Sequence, residues 1–221
     1  MLNTDEIKCA KHIVITLPKS TSISLVASAN ALYTYLLTLH KKVSFFSNEN
    51  TFARNLDFLP WMDKLKNSYP SSADLEIKVQ TDEEIMCFFE EQEVALNAKM
   101  ATSLYASILA QSDGFSKGIN SMLFARAKSY VEAGADLQVC TKNILNFIPL
   151  STLRLKTLLL EKMCLKENAQ VAFFELSEED LKKSGAKIDD AKSVVKDALS
   201  LPSVKRVVVK YENKEIIRQG E

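Results

Sequence analysis

The feature that most constrains this chain is a strand–helix–strand pattern near its start. His12-Ile-Val-Ile-Thr16 is a continuous apolar run, the signature of a strand buried on both faces. The polar loop Leu17-Pro-Lys-Ser-Thr-Ser22 follows. A helix is predicted from about Ser24 to His40, because Leu25, Ala29, Leu32, Leu36 and Leu39 recur at helical spacing. Lys41 and Lys42 close it with the charge that a helix C-terminus favours. Val43 to Ser47 reads as a second strand. Together these form a βαβ unit, which implies a parallel sheet covered by helices.

The elements that follow fit an α/β domain. A short helix is expected within Phe52–Ser68 and a third strand at Leu75–Val79. Ile85 to Val94 reads as strand or helix, since its apolar centre and its Glu-rich flanks disagree. Helices are predicted at Ala95–Ala110, Ser121–Ala133, Leu137–Asn146 and Ser151–Met163. The last third changes character. A strand at Gln170–Leu176 precedes Ser177-Glu-Glu-Asp180, a capping-box start with acids in the first turn. A helix at Asp189–Leu199 and a Val-rich strand at Val204–Tyr211 complete a small α+β unit. The expected division is an α/β domain over residues 1–150 and an α+β domain, with its connector helix, over 151–221.

Composition narrows the function classes. Lys plus Arg and Asp plus Glu each total 28, so the net charge is zero. Bulk attraction to DNA or to an anionic membrane is not expected, although a local patch stays open. Only 5 Gly are present, scattered, and no glycine-rich phosphate loop can be drawn from them. The 2 His limit acid–base and metal chemistry. Cys9, Cys87, Cys140 and Cys164 lie far apart, which reads as reduced and mostly buried thiols. Met1-Leu-Asn-Thr-Asp-Glu lacks the regions of a signal peptide. Ser20–Leu39 is uncharged, but 8 of its 20 residues are Ser, Thr or Asn. That suits a helix inside a protein core better than a membrane span. A cytoplasmic location is expected.

Several short motifs, in order, resemble the DHH phosphoesterases, in particular the branch of bacterial oligoribonucleases that also act on 3′-phosphoadenosine 5′-phosphate. Ile13-Val-Ile-Thr16, the loop after it and Ala27-Ser-Ala-Asn-Ala-Leu32 are similar to the family's first strand, ligand loop and following helix. Lys41-Lys-Val43 and Phe58-Leu-Pro60 follow its next strand and its Phe-Leu-Pro. Ala101-Thr-Ser-Leu-Tyr-Ala106, Ser112-Asp-Gly-Phe115, Asn120-Ser121 and Glu132-Ala-Gly-Ala-Asp136 match in turn. The last strand–helix–helix–strand is similar to the start of the DHH-associated domain. The resemblance implies a two-domain phosphoesterase fold. It also implies two divalent metals, usually manganese, that activate water against a phosphodiester.

The departures from the family pattern bear on function. Hard divalent cations need carboxylates or imidazoles from several loops. Where the family places a His and two Asp after the first strand, this chain has Leu17-Pro-Lys-Ser-Thr-Ser-Ile-Ser24. Ser22 and Ser24 stand nearest the two Asp, and neutral hydroxyls are poor ligands. Near the next ligand stands Gln80, with Asp82 two residues on. The Asp-His-His motif is absent, since no His follows His40. Of the ligands only Asp113 remains, which makes Asp113 and Asp82 the relic metal candidates. Asp113 also reads as a turn residue before Gly114. The chain also ends at Arg218-Gln-Gly-Glu221, before the family's Gly-rich substrate loop.

Other residues carry two readings. Lys19, Ser20, Thr21, Ser22 and Ser24 lie at a helix N-terminus, which suits an anion or nucleotide without metal, or a self-capping helix entry. Trp61, Phe58 and Met62 read as core or as a partner patch. Leu153, Leu155, Leu158, Leu159 and Leu160 read as a connector or an oligomer contact. Lys205, Arg206, Lys210 and Lys214 read as a weak basic edge or as charges guarding an edge strand. His12 and His40 read as structural. The leading expectation is a DHH-type protein that has lost its metals and acts as a binding or scaffold module, as a homodimer or with a protein partner. The alternative is a residual manganese-dependent phosphodiesterase or phosphatase on short oligonucleotides or small nucleotides. Weak nucleotide binding without hydrolysis is a third.

Overall fold

A short helix, α1 (Thr4–Cys9), leads into strand β1 (His12–Leu17), helix α2 (Ile23–Thr38) and strand β2 (Lys42–Ser47). The computed structural model describes residues 3–49, 52, 54–212 and 214–219, the last stretch by backbone alone. Met1, Gly220 and the side chains of Lys214 and Arg218, which entered the readings above, lie outside the described residues. β1 and β2 pair in parallel, with Ile13 opposite Val43 and Ile15 opposite Phe45. β3 (Leu65–Lys66) extends the sheet beyond β2, and β4 (Leu75–Lys78) lies on the other side of β1. The order is β3-β2-β1-β4 and every pair is parallel. An Asp74 carboxylate fixes the start of β1, accepting the N–H groups of Lys11 at 3.0 Å and His12 at 2.9 Å. These bonds hold its pKa below the usual carboxylate range.

Helices α3 (Asp82–Glu91), α4 (Ala98–Gln111) and α5 (Ser121–Glu132) follow, then α6 (Leu137–Cys140), which runs into one π-helical turn at Thr141–Leu145. The ambiguous stretch is thus helical. Thr81 caps it, and Asp82, Glu83 and Glu84 occupy its first turn, where the helix dipole favours acids. Between Phe52 and Ser68 there are two 3-10 turns and β3 rather than one α-helix. Pro60 and the capture of Trp61 by α2 explain this. The Trp61 N–H donates to Asn30 Oδ1 at 3.0 Å, and its indole N–H to Thr34 Oγ1 at 2.9 Å.

The uncharged helix α2 is buried on nearly all sides and packs mainly on α4. Two of its buried hydroxyls bond carbonyls of the helix itself. Ser28 Oγ donates to the Leu25 carbonyl at 3.1 Å and Thr34 Oγ1 to the Asn30 carbonyl at 2.9 Å. Ala27, Ser28 and Ala31 of α2 and Ser103 and Ser107 of α4 are all small and buried. Among the described residues no helix is long and apolar enough to cross a membrane. His12 is buried between Ser72 Oγ at 2.9 Å and Ser44 Oγ at 2.8 Å, and His40 is an exposed left-handed residue after α2. The thiols correct an expectation: Cys140 is buried and Cys87 partly so, but Cys9 and Cys164 are exposed. Cys9 lies off the buried side of α1, which Ile7 marks, and β5 is exposed along its whole length. Burial pushes the Cys140 thiol up to about 12.

Residues 1–147 form one unit and residues 148–221 a second. The second contains α7 (Leu150–Glu161), β5 (Cys164–Lys166), β6 (Val171–Leu176), α8 (Glu178–Ser184), α9 (Ala191–Leu199), β7 (Arg206–Tyr211) and β8 (Lys214–Gln219). Its sheet has the order β5-β6-β7-β8, with β6 and β7 parallel and the outer pairs antiparallel. Ser177 and Asp180 form the expected capping box. Leu155 and Leu159 are fully buried in this core, whereas Leu153 and Leu160 face out. β7 is an inner strand, not an edge, because β8 folds back on it. The whole is an α/β unit with a parallel, helix-flanked sheet, followed by a smaller α+β unit.

Candidate functional site

In an open parallel sheet, ligands bind beyond the C-terminal strand ends, where the strand order reverses. Here β1 is followed on one side by β2 and on the other by β4, so the reversal lies between the ends of β1 and β4. The loop 18–22 leaves β1 here and the segment 79–82 leaves β4. These are the segments that hold Lys19, Ser20, Thr21, Ser22 and Asp82.

The loop after β1 is closed by its own side chains. Ser20 takes a left-handed conformation, with φ of 58°. Ser22 is the N-cap of α2, and its Oγ accepts the Leu25 N–H at 3.2 Å. Ser22 Oγ and Ser24 Oγ lie 3.0 Å apart. Thr21 Oγ1 donates to the Pro18 carbonyl, and the Thr21 N–H donates to Glu49 Oε1 at 3.1 Å. Lys19 points to solvent. The Thr21 N–H is therefore engaged by a carboxylate that follows β2, and the Leu25 N–H in the first turn of α2 by Ser22. Glu49 brings negative charge to the place where a bound anion would sit. The sequence reading missed this residue, since nothing in the order of residues ties a loop after β2 to one after β1.

Asp82 opens α3. One carboxylate oxygen accepts the Glu83 N–H at 3.2 Å, and the other is buried without a hydrogen-bond partner. Asp113 follows α4 in a left-handed turn with φ of 48°, and its carboxylate stands 3.9 Å from Lys117. The turn itself is organised by Ser112. Its Oγ donates to the Ile108 carbonyl at 2.7 Å and accepts the Phe115 N–H at 2.9 Å.

The strongest charged cluster lies beside these two positions, and the sequence reading missed it. Arg126 on α5 is 6% exposed and makes two forked pairs with α3. It reaches Glu83 at 2.7 and 2.8 Å and Glu90 at 2.6 and 3.0 Å. The two carboxylates hold the guanidinium far above its ordinary pKa, and the Arg126 bonds hold Glu83 below its own. Burial, reinforced by Glu83, raises the Cys87 thiol between them. Spacing could have shown the face, because Glu83, Cys87 and Glu90 recur at helical intervals. The partner on α5 could not be inferred. A cavity of about 110 Å³ is lined by Glu83, Ser112, Lys117 and Arg126 among others. Its two cations and its engaged carboxylate do not suit a divalent metal.

The donor set was tested against the two metals that the resemblance implies. Among the described residues no group of three or more His, Cys, Asp or Glu could hold a metal ion. Asp82 and Asp113 belong to no such group. The hydroxyls of Ser22 and Ser24 are committed to the cap and to each other. The described residues do not fit a dinuclear centre.

No family model and no curated protein matches this chain. Solved structures do. An exopolyphosphatase-related protein from Bacteroides fragilis is similar, with a TM-score of 0.77 and 16% identity, over 99% of this chain and 82% of that one. A Methanococcus jannaschii protein provisionally described as a family II inorganic pyrophosphatase matches with a TM-score of 0.30 and 11% identity, over 81% of this chain and 62% of that one. The first of these likenesses shows that the fold of this chain is shared with an exopolyphosphatase-related protein.

Proposed function

We propose that this chain is a catalytically silent DHH-type protein that acts as a binding or scaffold module. The carrying observation is the fate of the metal seats. Where the resemblance puts acidic ligands, Ser22 and Ser24 stand instead, tied into the cap of α2, and Glu49 holds the loop N–H. A dinuclear site needs several ionised ligands at once, and loss of even one weakens it heavily. The fold shared with an exopolyphosphatase-related protein supports descent from a phosphoesterase. It does not restore the ligands. The proposal includes a cytoplasmic location, which the free thiols of Cys9 and Cys164 fit.

A second reading has one observation in its favour. The partnerless buried oxygen of Asp82 could take a cation, leaving a manganese-dependent phosphodiesterase that uses Asp82 and Asp113. Turnover separates the two. With manganese present, a dinucleotide and 3′-phosphoadenosine 5′-phosphate are expected to be hydrolysed no faster than in buffer. Hydrolysis that vanishes in both Asp113→Ala and Asp82→Asn would establish the second reading and end the first.

A further inference from the structure

β4 is the edge of its sheet: among the described residues no strand pairs with its outer side. An unpaired edge is a template for another strand. A groove of about 180 Å³ runs along the whole of it, lined by Leu75 to Val79 and walled by Asn3, Glu6, Ile7 and Glu84. The strand alternates cleanly. Ile77 and Val79 are buried, whereas Glu76 and Lys78 are exposed on the other face, 3.4 Å apart.

This alternation is self-complementary in one arrangement. An antiparallel pair centred on Ile77 sets Ile77 opposite Ile77 of the second copy. It sets Glu76 opposite Lys78 of the second copy, and Lys78 opposite Glu76. Leu75 then faces Val79 of the second copy. Both charged positions meet their opposites, and all three apolar positions meet apolar partners. Opposite charges on facing strands stabilise a sheet and like charges destabilise it. Centring the pair on Glu76 or Lys78 would oppose like charges at the axis, and a one-residue slip would put charged side chains against the buried face. A two-fold axis through Ile77 is the symmetry of a closed dimer.

We infer that two copies of this chain associate through antiparallel pairing of their β4 edges about Ile77. The inference stands apart from the catalytic reading, since the charged pair it rests on, Glu76 and Lys78, belongs to no candidate metal or anion site. A four-residue edge covers less area than the ~1,200 Å² of a standard stable interface, so the dimer is weak, with a dissociation constant of roughly 10 µM or above.

Sedimentation velocity between about 5 and 500 µM tests it, a range that brackets the expected affinity. The mean mass of the wild type is expected to rise from monomer towards dimer. Lys78→Glu and Glu76→Lys should each weaken association roughly tenfold or more, because each opposes like charges at both pairs. The double exchange Glu76→Lys/Lys78→Glu should restore it, and so should mixing the two single variants in equal amounts. Both side chains lie on the exposed face, and a melting curve confirms that the variants are folded. A wild type that stays monomeric at the highest concentration would overturn the inference. So would single variants that associate like the wild type, which would place the contact on another surface.

Discussion

Replacing Arg126 with methionine is expected to lower the stability of the fold by about 3 kcal/mol. Methionine fills much of the volume, so the loss is electrostatic more than steric. The guanidinium is nearly buried, while the Glu83 and Glu90 side chains are 45% and 47% exposed. Water therefore screens part of each pair and keeps the effect at the lower end for buried ion pairs. Without the arginine, two carboxylates on one face of α3 lose their common counter-charge beside the apolar wall of α5. Removing the charges as well should recover much of the loss, so Arg126→Met/Glu83→Gln/Glu90→Gln should lie between the wild type and the single variant. The pH dependence carries the same signature. Glu83 has its pKa lowered chiefly by hydrogen bonds to Arg126. A lowered folded-state pKa gives stability that is present above the unfolded value, about 4.3, and is lost as pH falls through the folded value. Urea unfolding at neutral and acid pH should show that loss in the wild type and a flatter acid limb in Arg126→Met.

Phe45→Ala is expected to cost about 3–5 kcal/mol, the usual range for emptying a buried aromatic site. Phe45 is 1% exposed at the centre of β2. Its ring lies 5.7 Å from that of Tyr33, which in turn lies 5.5 Å from that of Trp61. Removing it opens a hole between the sheet and α2, where the Asn30 and Thr34 bonds to Trp61 fix the neighbours and limit collapse. For a unit of this size the melting point should fall by roughly 10 °C. A loss below about 1 kcal/mol would show that the ring is not part of a packed core.

The architecture was legible wherever apolar periodicity was strong. β1, α2, β2, β4, α4, α5 and the Ser177 capping box could be read because each carries its own signal, either a continuous apolar run, helical spacing or a cap. What escaped was set by long-range partners. β3 is a two-residue strand defined only by its pairing with β2, β5 by its antiparallel pairing with β6, and β8 by its return against β7. The candidate site follows the same rule. The loop Lys19–Ser24 and the acids Asp82 and Asp113 are visible as residues. That Glu49 would hold the Thr21 N–H, and Arg126 the carboxylates of Glu83 and Glu90 on α3, depends on distant segments meeting.

We propose that the described residues of this chain offer no seat for a pair of divalent cations. Isothermal calorimetry with manganese on the full chain addresses it directly. Only the small, unsaturated heat of dilution is expected up to millimolar metal. A saturating isotherm with two ions per chain, weakened in both Asp82→Asn and Asp113→Ala, would contradict it.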